Sequence, residues 1–276
     1  MLFGTKKKVL ALMPAFKKRD ADRPARSPIL HARLVQPFAS GSSTAHPMNL
    51  QHRLGRLRDL GILNGDWLDC GCANGSYTAA LLDYGTTTAV GVDTLTERIA
   101  RAHSSWASLY PQLRFVSASA EGLPFPDASF DGVLLNEVLE HVTDELQTLR
   151  EIFRILRPGG HLVIMSPNRW FPFEGHGLRL GSRRLEFPVP LLPWLPRSVG
   201  QRFMWARNYW PGELREIVHH QGFIICLIGF VWPVLEQHPW LPRPFLRHYR
   251  AFIPMAESLP LLRRFGLSIL LVAHKP

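Results

Sequence analysis

The stretch DWLDCGCANGSYTAALLDYG, residues 66–85, decides the fold, because a short apolar run enters a glycine turn and continues as a helical pattern. Gly71 and Gly75 allow the backbone to turn tightly and to approach a ligand closely. The helix that follows offers unpaired N–H groups and the positive end of its dipole. The stretch therefore predicts a strand, a ligand-binding turn and a helix, in that order.

Strands and helices alternate outward from this stretch. Apolar runs predict strands at residues 66–71, 87–93, 113–119, 130–137 and 161–168, and apolar periodicity predicts helices at residues 47–60, 76–85, 94–106 and 143–160. Strands joined by helical crossovers pair in parallel, which predicts an α/β fold with a Rossmann-like, doubly wound sheet. Ligands of such sheets bind beyond the carboxyl ends of the strands.

An acidic residue ends the second predicted strand. Asp93 lies eighteen residues beyond Gly75, where a carboxylate can accept hydrogen bonds from two ribose hydroxyls. A dinucleotide fingerprint would place a third glycine where Ser76 stands, and the Gly-Lys-Ser/Thr of a Walker loop is absent from this turn. These two differences argue against a nicotinamide-dependent oxidoreductase and against a P-loop nucleotidase.

Four segments within residues 66–168 resemble a class I S-adenosylmethionine-dependent methyltransferase of the type 11-like group: LDCGCANGSYTAALL, VGVDTLTERI, SAEGLPFPDASFDGVLLNEVLEHV and EIFRILRPGGHLVIMSPN. The segment RNYWPGELREIVHHQGF resembles the last helix of that family. The resemblance implies a methyltransferase domain over residues 47–276 with helices on both faces of the sheet. It also implies seven strands, mostly parallel with the last antiparallel, the closing pair being residues 222–232 and 266–276.

The resemblance implies S-adenosylmethionine as the cofactor. The positions implied are Asp69, Gly71, Gly75 and Asn136 for the methionine portion, Asp93 for the ribose, and Ser119, Ala120 and Glu121 for the adenine. This sequence departs from the family pattern at two of its positions. Ala73 stands where a glycine is common, and Ser119 stands where an aspartate is common. A hydroxyl accepts a weaker hydrogen bond than a carboxylate does.

Methyl transfer to a hydroxyl needs alignment, exclusion of water and usually a base. The base candidates near the strand ends are His141, Glu137 and His176, followed by Glu174 and the more distant Tyr209. His219 and His220 lie on the late helix and are interpreted as surface residues, because histidines at such positions are more often exposed than functional.

The run from Glu137 to His141 has the spacing E-x-x-E-H. It resembles the metal-binding segment of ubiquinone-pathway O-methyltransferases and of small-RNA 2′-O-methyltransferases. Arranged around one helical turn, Glu137, Glu140 and His141 would hold a divalent ion, and His176 would complete the site. Such an ion would bind paired hydroxyls and lower the pKa of one of them. The alternative, that His141 only caps a turn, stays open.

Two long insertions interrupt the predicted domain, at residues 169–210 and 233–265, and both are rich in Trp, Phe, Pro and Arg. Loops of this length in a compact domain are usually functional or disordered, and these are too apolar for ordinary disorder. We therefore expect them to form a cap over the acceptor pocket. The alternative is that they only cover exposed parts of the sheet.

Charge is distributed unevenly along the chain, whose net charge is +10. Residues 1–50 carry a balance of +7, residues 51–170 one of −4 and residues 171–276 one of +7. Residues 1–46 contain lysine runs and scattered prolines without a sustained period, which predicts a basic, flexible arm. Basic flanks around an acidic centre suit an anionic partner, although they can also be merely solubilising.

These features predict methyl transfer to a hydroxyl of a small hydrophobic or lipid-linked acceptor that is met at an anionic membrane surface. Nucleic acid is not expected as a partner, because no recognisable RNA-binding module appears. Two alternatives stay open: a nucleic-acid methyltransferase, and a catalytically silent cofactor-binding module at a membrane surface.

The expected location is the cytoplasm, peripheral at the inner face of a membrane. The longest apolar runs, such as residues 267–273, fall far short of the roughly 20 residues of a membrane span. Three cysteines, two of them in the glycine turn, exclude a disulfide framework and indicate a reducing compartment.

Overall fold

The computed structural model describes residues 47–185, 187–235 and 241–276, so the arm predicted for residues 1–46 lies outside the described residues. The helices are α1 (Pro47–Asp59), α2 (Ser76–Tyr84), α3 (Thr96–Ala102), α4 (Glu145–Ile155), α5 (Arg197–Gly200), α6 (Pro211–His220) and α7 (Arg243–Ser258). The strands are β1 (Asp66–Cys70), β2 (Thr88–Asp93), β3 (Leu113–Ser117), β4 (Phe130–Asn136), β5 (Leu156–Pro167), β6 (Phe173–Glu174), β7 (Leu178–Leu180), β8 (Arg183–Leu185), β9 (Val189–Pro190), β10 (Ile224–Val231) and β11 (Ser268–His274).

Seven strands form one sheet in the order β10-β11-β5-β4-β1-β2-β3. β11, the last strand of the chain, runs antiparallel to both neighbours, while the other pairings are parallel. The predicted fold class is therefore confirmed. In β1, Cys70 pairs with Val92 of β2 and with Leu135 of β4, so the carboxyl ends of these three strands lie level at the point where strand order reverses.

The core lies in two layers because alternate strand residues point to opposite faces. In β1, Leu68 packs in one layer with α4 and α6, and Trp67 packs in the other with α1 and α2. Helices therefore cover both faces, as predicted. The leucines of α1, which are Leu50, Leu54 and Leu57, are completely buried in the second layer.

Helix α4 ends earlier than its sequence pattern predicts. Its first turn is capped by Asp144, whose carboxylate accepts a hydrogen bond from Gln147 N at 2.9 Å. The pattern predicts a helix to residue 160, but the helix ends at Ile155 because Leu156 already pairs with Phe130 of β4. Pro158 also disfavours helical backbone at the residue before it.

The first insertion is folded into small elements. β6 pairs with β9 and β7 pairs with β8, in two antiparallel ribbons. The second insertion contains α7, which is anchored to α1: His52 Nε2 and Glu257 Oε1 lie 2.9 Å apart, and Trp232 N donates to the same oxygen. Among the described helices, none combines the length and apolar character that crossing a membrane requires.

Candidate active site

A cavity of about 770 Å³ opens at the carboxyl ends of the central strands. It is lined by eleven of the residues singled out from the sequence: Asp69, Gly71, Asp93, Ser119, Ala120, Glu121, Asn136, Glu137, His141, Glu174 and His176. Its volume lies in the range typical of small-molecule sites. The chain thus gathers the predicted cofactor and catalytic residues, which come from five separate segments, around one space.

The glycine turn requires glycine at positions 71 and 75. Gly71 has φ of +81°, and a Cβ there would lie 2.3 Å from Val138 Cγ2. Gly75 has φ of +79° and does not line the cavity; a Cβ on it would meet the Phe115 ring at 2.7 Å. Ala73 adopts φ of 48°, a left-handed conformation that is strained for alanine. This conformation explains why a glycine is suited to position 73.

Asp93 is held rigidly at the end of β2. Its Oδ2 accepts a hydrogen bond from Ala73 N at 3.1 Å, and its Oδ1 accepts one from Leu95 N at 2.9 Å. Arg98 Nη1 lies 3.5 Å from Oδ2. An ionised carboxylate has about four acceptor positions, so each oxygen keeps capacity for a ribose hydroxyl. The side chain is buried yet lines the cavity, as a ribose-binding acid requires.

Asp69 lies buried at the end of β1. Thr78 Oγ1 donates a hydrogen bond to Asp69 Oδ2 at 2.7 Å. The pKa of Asp69 is raised to about 7, because burial and the negative charge of Asp93 outweigh the lowering effect of the Thr78 bond. A cationic ligand in the cavity would favour the ionised form of this carboxyl.

The adenine end is less complete than the ribose end. Ser119 is exposed, and its Oγ accepts a hydrogen bond from Glu121 N at 3.2 Å. The carboxylate of Glu121 accepts from Thr143 N at 2.6 Å and from Asp144 N at 3.0 Å, so it stabilises the approach to α4. Glu121 and the buried Ala120 still line the cavity.

A fully buried arginine, which the sequence analysis missed, supports the floor of the cavity. Arg53 of α1 donates from Nη1 to Asn136 Oδ1 at 2.6 Å and to Glu137 Oε1 at 2.9 Å. Its Nη2 donates to Ser268 Oγ at 2.9 Å. Three distant segments therefore meet at one guanidinium. A single arginine in an amphipathic helix gives no sequence signal for such a role, because its partners are 83 to 215 residues away.

The predicted helical arrangement of residues 137–141 is wrong. The segment is a turn in which His141 N donates to Val138 O at 2.9 Å, and Glu137 has φ of 58° in the left-handed region. This backbone directs the Glu137 carboxylate to Arg53 and to Ser268 Oγ, which donates to it at 2.5 Å. Glu137 therefore does not join Glu140 and His141 in the predicted metal-ligand set.

A different set of possible ligands does assemble. One ligand atom each of Glu140, His141 and His176 lies within 4.8 Å of the others, and the two imidazole rings meet edge to face at 5.2 Å. Glu140 is buried, and its Oε2 accepts from Ser166 Oγ at 3.1 Å, whereas its Oε1 has no hydrogen-bond partner in the described part of the chain. Burial, and then the nearby Glu137 charge, raises the pKa of Glu140 well above its ordinary value.

The clearest acid–base arrangement pairs Glu174 with His176. Glu174 is completely buried, and its Oε1 lies 2.8 Å from His176 Nδ1 and accepts a hydrogen bond from His176 N at 2.9 Å. Asn208 Nδ2 donates to Glu174 Oε2 at 2.5 Å. A buried carboxylate at Nδ1 fixes the imidazole tautomer, so that Nε2 carries the basic lone pair.

The other base candidates lie elsewhere. Tyr209 is completely buried and does not line the cavity; its hydroxyl donates to Glu145, and burial raises its pKa. The prediction of Tyr209 as a distant base is therefore not supported by its position. His219 and His220 are exposed on α6, where the sequence analysis placed them.

Similarity to known proteins points to the same part of the chain. The sequence family described as a methyltransferase domain matches residues 68–164. A probable S-adenosylmethionine-dependent methyltransferase of Mycolicibacterium smegmatis is 36% identical over 104 residues, which are 38% of this chain and 38% of that protein. The chain thus spans well under half the length of this relative.

Two further proteins extend the similarity beyond that segment. A demethylmenaquinone methyltransferase of Staphylococcus aureus is 29% identical over 200 residues, covering 68% of this chain and 82% of its own length. The crystal structure of an S-adenosylmethionine-dependent methyltransferase from Mesorhizobium loti covers 85% of this chain and 99% of its own, with 19% identity and a TM-score of 0.55. The latter shows a common fold. Residues 68–164 therefore match a methyltransferase domain, and the strand order of the sheet and the glycine turn at the cavity agree with the fold of a solved S-adenosylmethionine-dependent methyltransferase.

Proposed function

We propose that the protein transfers the methyl group of S-adenosylmethionine to a hydroxyl of a small, hydrophobic acceptor. The observation that carries this proposal is the meeting, in one cavity, of the glycine turn, Asp93 and the Glu174–His176 pair. When bound, the cofactor supplies an activated methyl group on a sulfonium sulfur. The protein has to hold donor and acceptor in line, exclude water and accept the hydroxyl proton.

Each predicted cofactor residue has a defined task in this proposal. Gly71 lets the backbone lie close to the methionine portion, and Asp93 accepts hydrogen bonds from the ribose hydroxyls. Asn136 faces the reacting end of the cavity and is positioned by Arg53 at 2.6 Å. Asp69 lies beneath the methionine portion, where its charge would balance the positive groups of the cofactor.

His176 is the proposed general base. Its Nε2 would take the acceptor proton as the oxygen attacks the methyl carbon, and the buried Glu174 would stabilise the imidazolium that forms. His141 packs edge to face on the same ring, so it limits the orientations that His176 can adopt. The products are a methyl ether, S-adenosylhomocysteine and one proton held by the imidazole.

A divalent ion is a second candidate for activating the hydroxyl. The residues fit such an ion: among the described residues Glu140 Oε1 is buried without a hydrogen-bond partner, and His141 and His176 lie beside it. Glu174 orients His176 through Nδ1. Glu140, His141 and His176 would hold the ion, which would supply Lewis-acid lowering of the hydroxyl pKa. Glu137 is not part of this set, because it is bound to Arg53.

The hydrophobic character of the acceptor is inferred from the insertions. Phe171 and Phe173 line the cavity beside His176, and their ring centroids lie 5.8 Å apart. We infer that residues 169–210 and 233–265 form the cap predicted from the sequence, and that the acceptor is met at an anionic membrane surface. The Staphylococcus aureus relative is named for a quinone acceptor, which is consistent with a hydrophobic substrate.

The test is a methyl-transfer screen with labelled S-adenosylmethionine against lipid extracts, phenols, quinols and transfer RNA. We expect a lipid-soluble product that is one methylene heavier, and His176→Ala and Glu174→Gln should each lower turnover about 10²–10⁴-fold without changing cofactor affinity. His219→Ala, an exposed histidine far along the chain, is the matched control. Turnover of RNA alone would favour the nucleic-acid alternative, and cofactor binding without any turnover would favour the silent module.

Excess chelator separates the two ways of activating the hydroxyl. Full activity in chelator supports the His176 base. Loss of activity that returns with Mg²⁺ or Mn²⁺, together with metal binding by calorimetry that Glu140→Gln abolishes, would replace the base by the ion.

A further inference from the structure

The exposed hydrophobic side chains are concentrated in the two insertions. The described residues expose seventeen large hydrophobic side chains, and thirteen of them lie within residues 169–210 and 233–265. These insertions make up less than a third of the described residues. Scattered exposed leucines are normal, but such concentration marks an interaction surface.

Five of these side chains lie close together along one segment, residues 187–199, which we name the docking face. They are Phe187, Leu191, Trp194, Leu195 and Val199. The backbone of this segment is held from beneath by the buried Arg169, which donates from Nε to Pro193 O at 2.7 Å and from Nη2 to Leu195 O at 2.5 Å. The backbone of the docking face is therefore fixed, while its apolar side chains are exposed.

Leu191 is strained as well as exposed. It adopts φ of 61°, and 55% of its surface is accessible to solvent. A bulky residue seldom adopts this left-handed conformation, which costs conformational energy that no burial of the side chain recovers here. The N–H and the carbonyl of Leu191 are both hydrogen-bonded within the chain, to Pro172 O and to Trp194 N, so its backbone holds this apolar side chain in an exposed position.

Positive charges predominate around the docking face, although Arg197 within it pairs with Glu213 of α6. Arg179, Arg183 and Arg202 are exposed in the same insertion, and Arg179 lies over the Trp205 ring at 5.1 Å. In the described part of this insertion the only carboxylate is that of Glu174, which is completely buried in the active site. An apolar face flanked by an excess of arginines complements an anionic lipid surface.

The docking face is continuous with the cavity. Phe173 lines the cavity, is itself partly exposed, and pairs with Pro190 in the β6–β9 ribbon. Leu191 follows directly, and its N–H donates to Pro172 O at 2.6 Å. Apolar residues thus connect the docking face, through Phe173, to the side of the cavity that holds His176.

We propose that residues 187–199 insert into the interfacial region of an anionic lipid bilayer and place the cavity mouth where a membrane-dissolved acceptor enters past Phe173. The delivery of an acceptor rests on the proposed methyl transfer, whereas the bilayer contact does not. The docking face is proposed to contact the lipid surface rather than a second copy of the chain. In a symmetric dimer the flanking arginines would face each other and repel.

The test uses the full chain and vesicles of phosphatidylcholine with or without one quarter phosphatidylglycerol, and it measures bound protein by sedimentation. We expect binding only to the anionic vesicles, weakened by salt. Leu191→Asn should reduce the partition coefficient about fivefold to tenfold, because it removes an apolar side chain from the interface. Asparagine tolerates the left-handed backbone, so the midpoint of thermal unfolding should not fall.

The matched control is Leu146→Asn, which changes a leucine that is 45% exposed on α4, outside both insertions, and should leave vesicle binding unchanged. Equal losses in both variants, or no vesicle binding at low salt, would overturn the proposal. A dimer in lipid-free sedimentation that Leu191→Asn dissociates would also overturn it, in favour of a second copy. Cofactor calorimetry on the same samples shows separately whether the methyltransferase proposal stands.

Discussion

Polar groups are buried at the carboxyl ends of β1, β2 and β4, whereas in the first insertion many of them are exposed. At the strand ends, Asp69 and Asp93 are buried, and so is Arg53 of α1, which donates to Asn136 of β4. Each of the three is fixed by hydrogen bonds inside the chain. In the insertion, arginines and large apolar side chains stand exposed side by side, on a backbone that is held firmly from beneath. The strand ends are organised for a ligand that is enclosed, whereas the insertion is organised for a partner that is not.

This contrast resembles a division of labour that the reaction itself would need. The proposed methyl transfer always uses the same cofactor. A rigid, internally bonded site for it can therefore be specified by short local motifs. Acceptors differ in size and in polarity, so the surface that meets them has to vary. In the proposed reaction these two tasks fall on different segments, which meet at the cavity beside the Glu174–His176 pair.

The largest expected effect separates a buried arginine from an exposed one. Arg53→Met should lower the free energy of unfolding by about 3 kcal/mol or more, because it leaves the Glu137 carboxylate without its buried partner. Arg202→Met, in the insertion, should change it by less than about 0.5 kcal/mol. Urea denaturation of both variants measures the difference. Equal, small effects would break the contrast between the two regions.

A double variant sharpens this result. Adding Glu137→Gln to Arg53→Met removes the charge that was left unpaired, so part of the lost stability should return. If the double variant is no more stable than the sum of the two single changes predicts, then the arginine acts mainly through Asn136 and Ser268 rather than through the ion pair.

The next effect concerns pH. Because the pKa of Asp69 is raised to about 7 in the folded protein, its protonated form stabilises the fold below about pH 4, and this contribution is lost as the pH rises through 7. From pH 6 to pH 8 the wild type should therefore lose about 1 kcal/mol more than Asp69→Asn does. Parallel urea curves at both pH values measure this difference. Identical pH profiles would show that Asp69 is ionised throughout.

The smallest effect tests strain in the glycine turn. Ala73→Gly should raise the free energy of unfolding by about 0.5–1 kcal/mol, because glycine adopts φ of 48° without steric cost. Ala100→Gly, at an exposed position inside α3, should lower it by about 1 kcal/mol. Thermal unfolding of both variants gives the two signs. A loss in both would mean that the turn carries no strain at position 73.

The sheet, and the glycine turn and acidic residue at its strand ends, could be located from the sequence because their signals are local. The β-strands alternate or run apolar over a few residues, and Asp93 lies at a fixed spacing from the glycine turn. The predicted end of helix α4 lies too far along the chain because its amphipathic pattern continues to Pro158. In the structure Leu156 already pairs with Phe130 in the sheet. That pairing is a tertiary contact, and no periodicity reveals it.

The remaining features depend on contacts that a sequence does not display. From the sequence alone Arg53 gives no sign of being buried. In the fold it bonds to Asn136, Glu137 and Ser268, which lie far away along the chain. The E-x-x-E-H spacing predicts Glu137 as a metal ligand, but in the fold its carboxylate bonds to Arg53 and Ser268. The Glu174–His176 pair joins two candidates that the sequence analysis named separately, although their i, i+2 spacing and the phenylalanine beside them gave a usable signal.

The most direct measurement of the central claim is a calorimetric titration of S-adenosylmethionine into the full chain. We expect one bound cofactor per chain. Asp93→Ala should weaken binding by about 1–3 kcal/mol because the ribose hydroxyls lose their hydrogen-bond acceptor. Asp59→Ala, on the exposed end of α1, should leave the affinity unchanged. Unchanged affinity in Asp93→Ala, or no binding by the wild type, would contradict the assignment of the strand ends as the cofactor site.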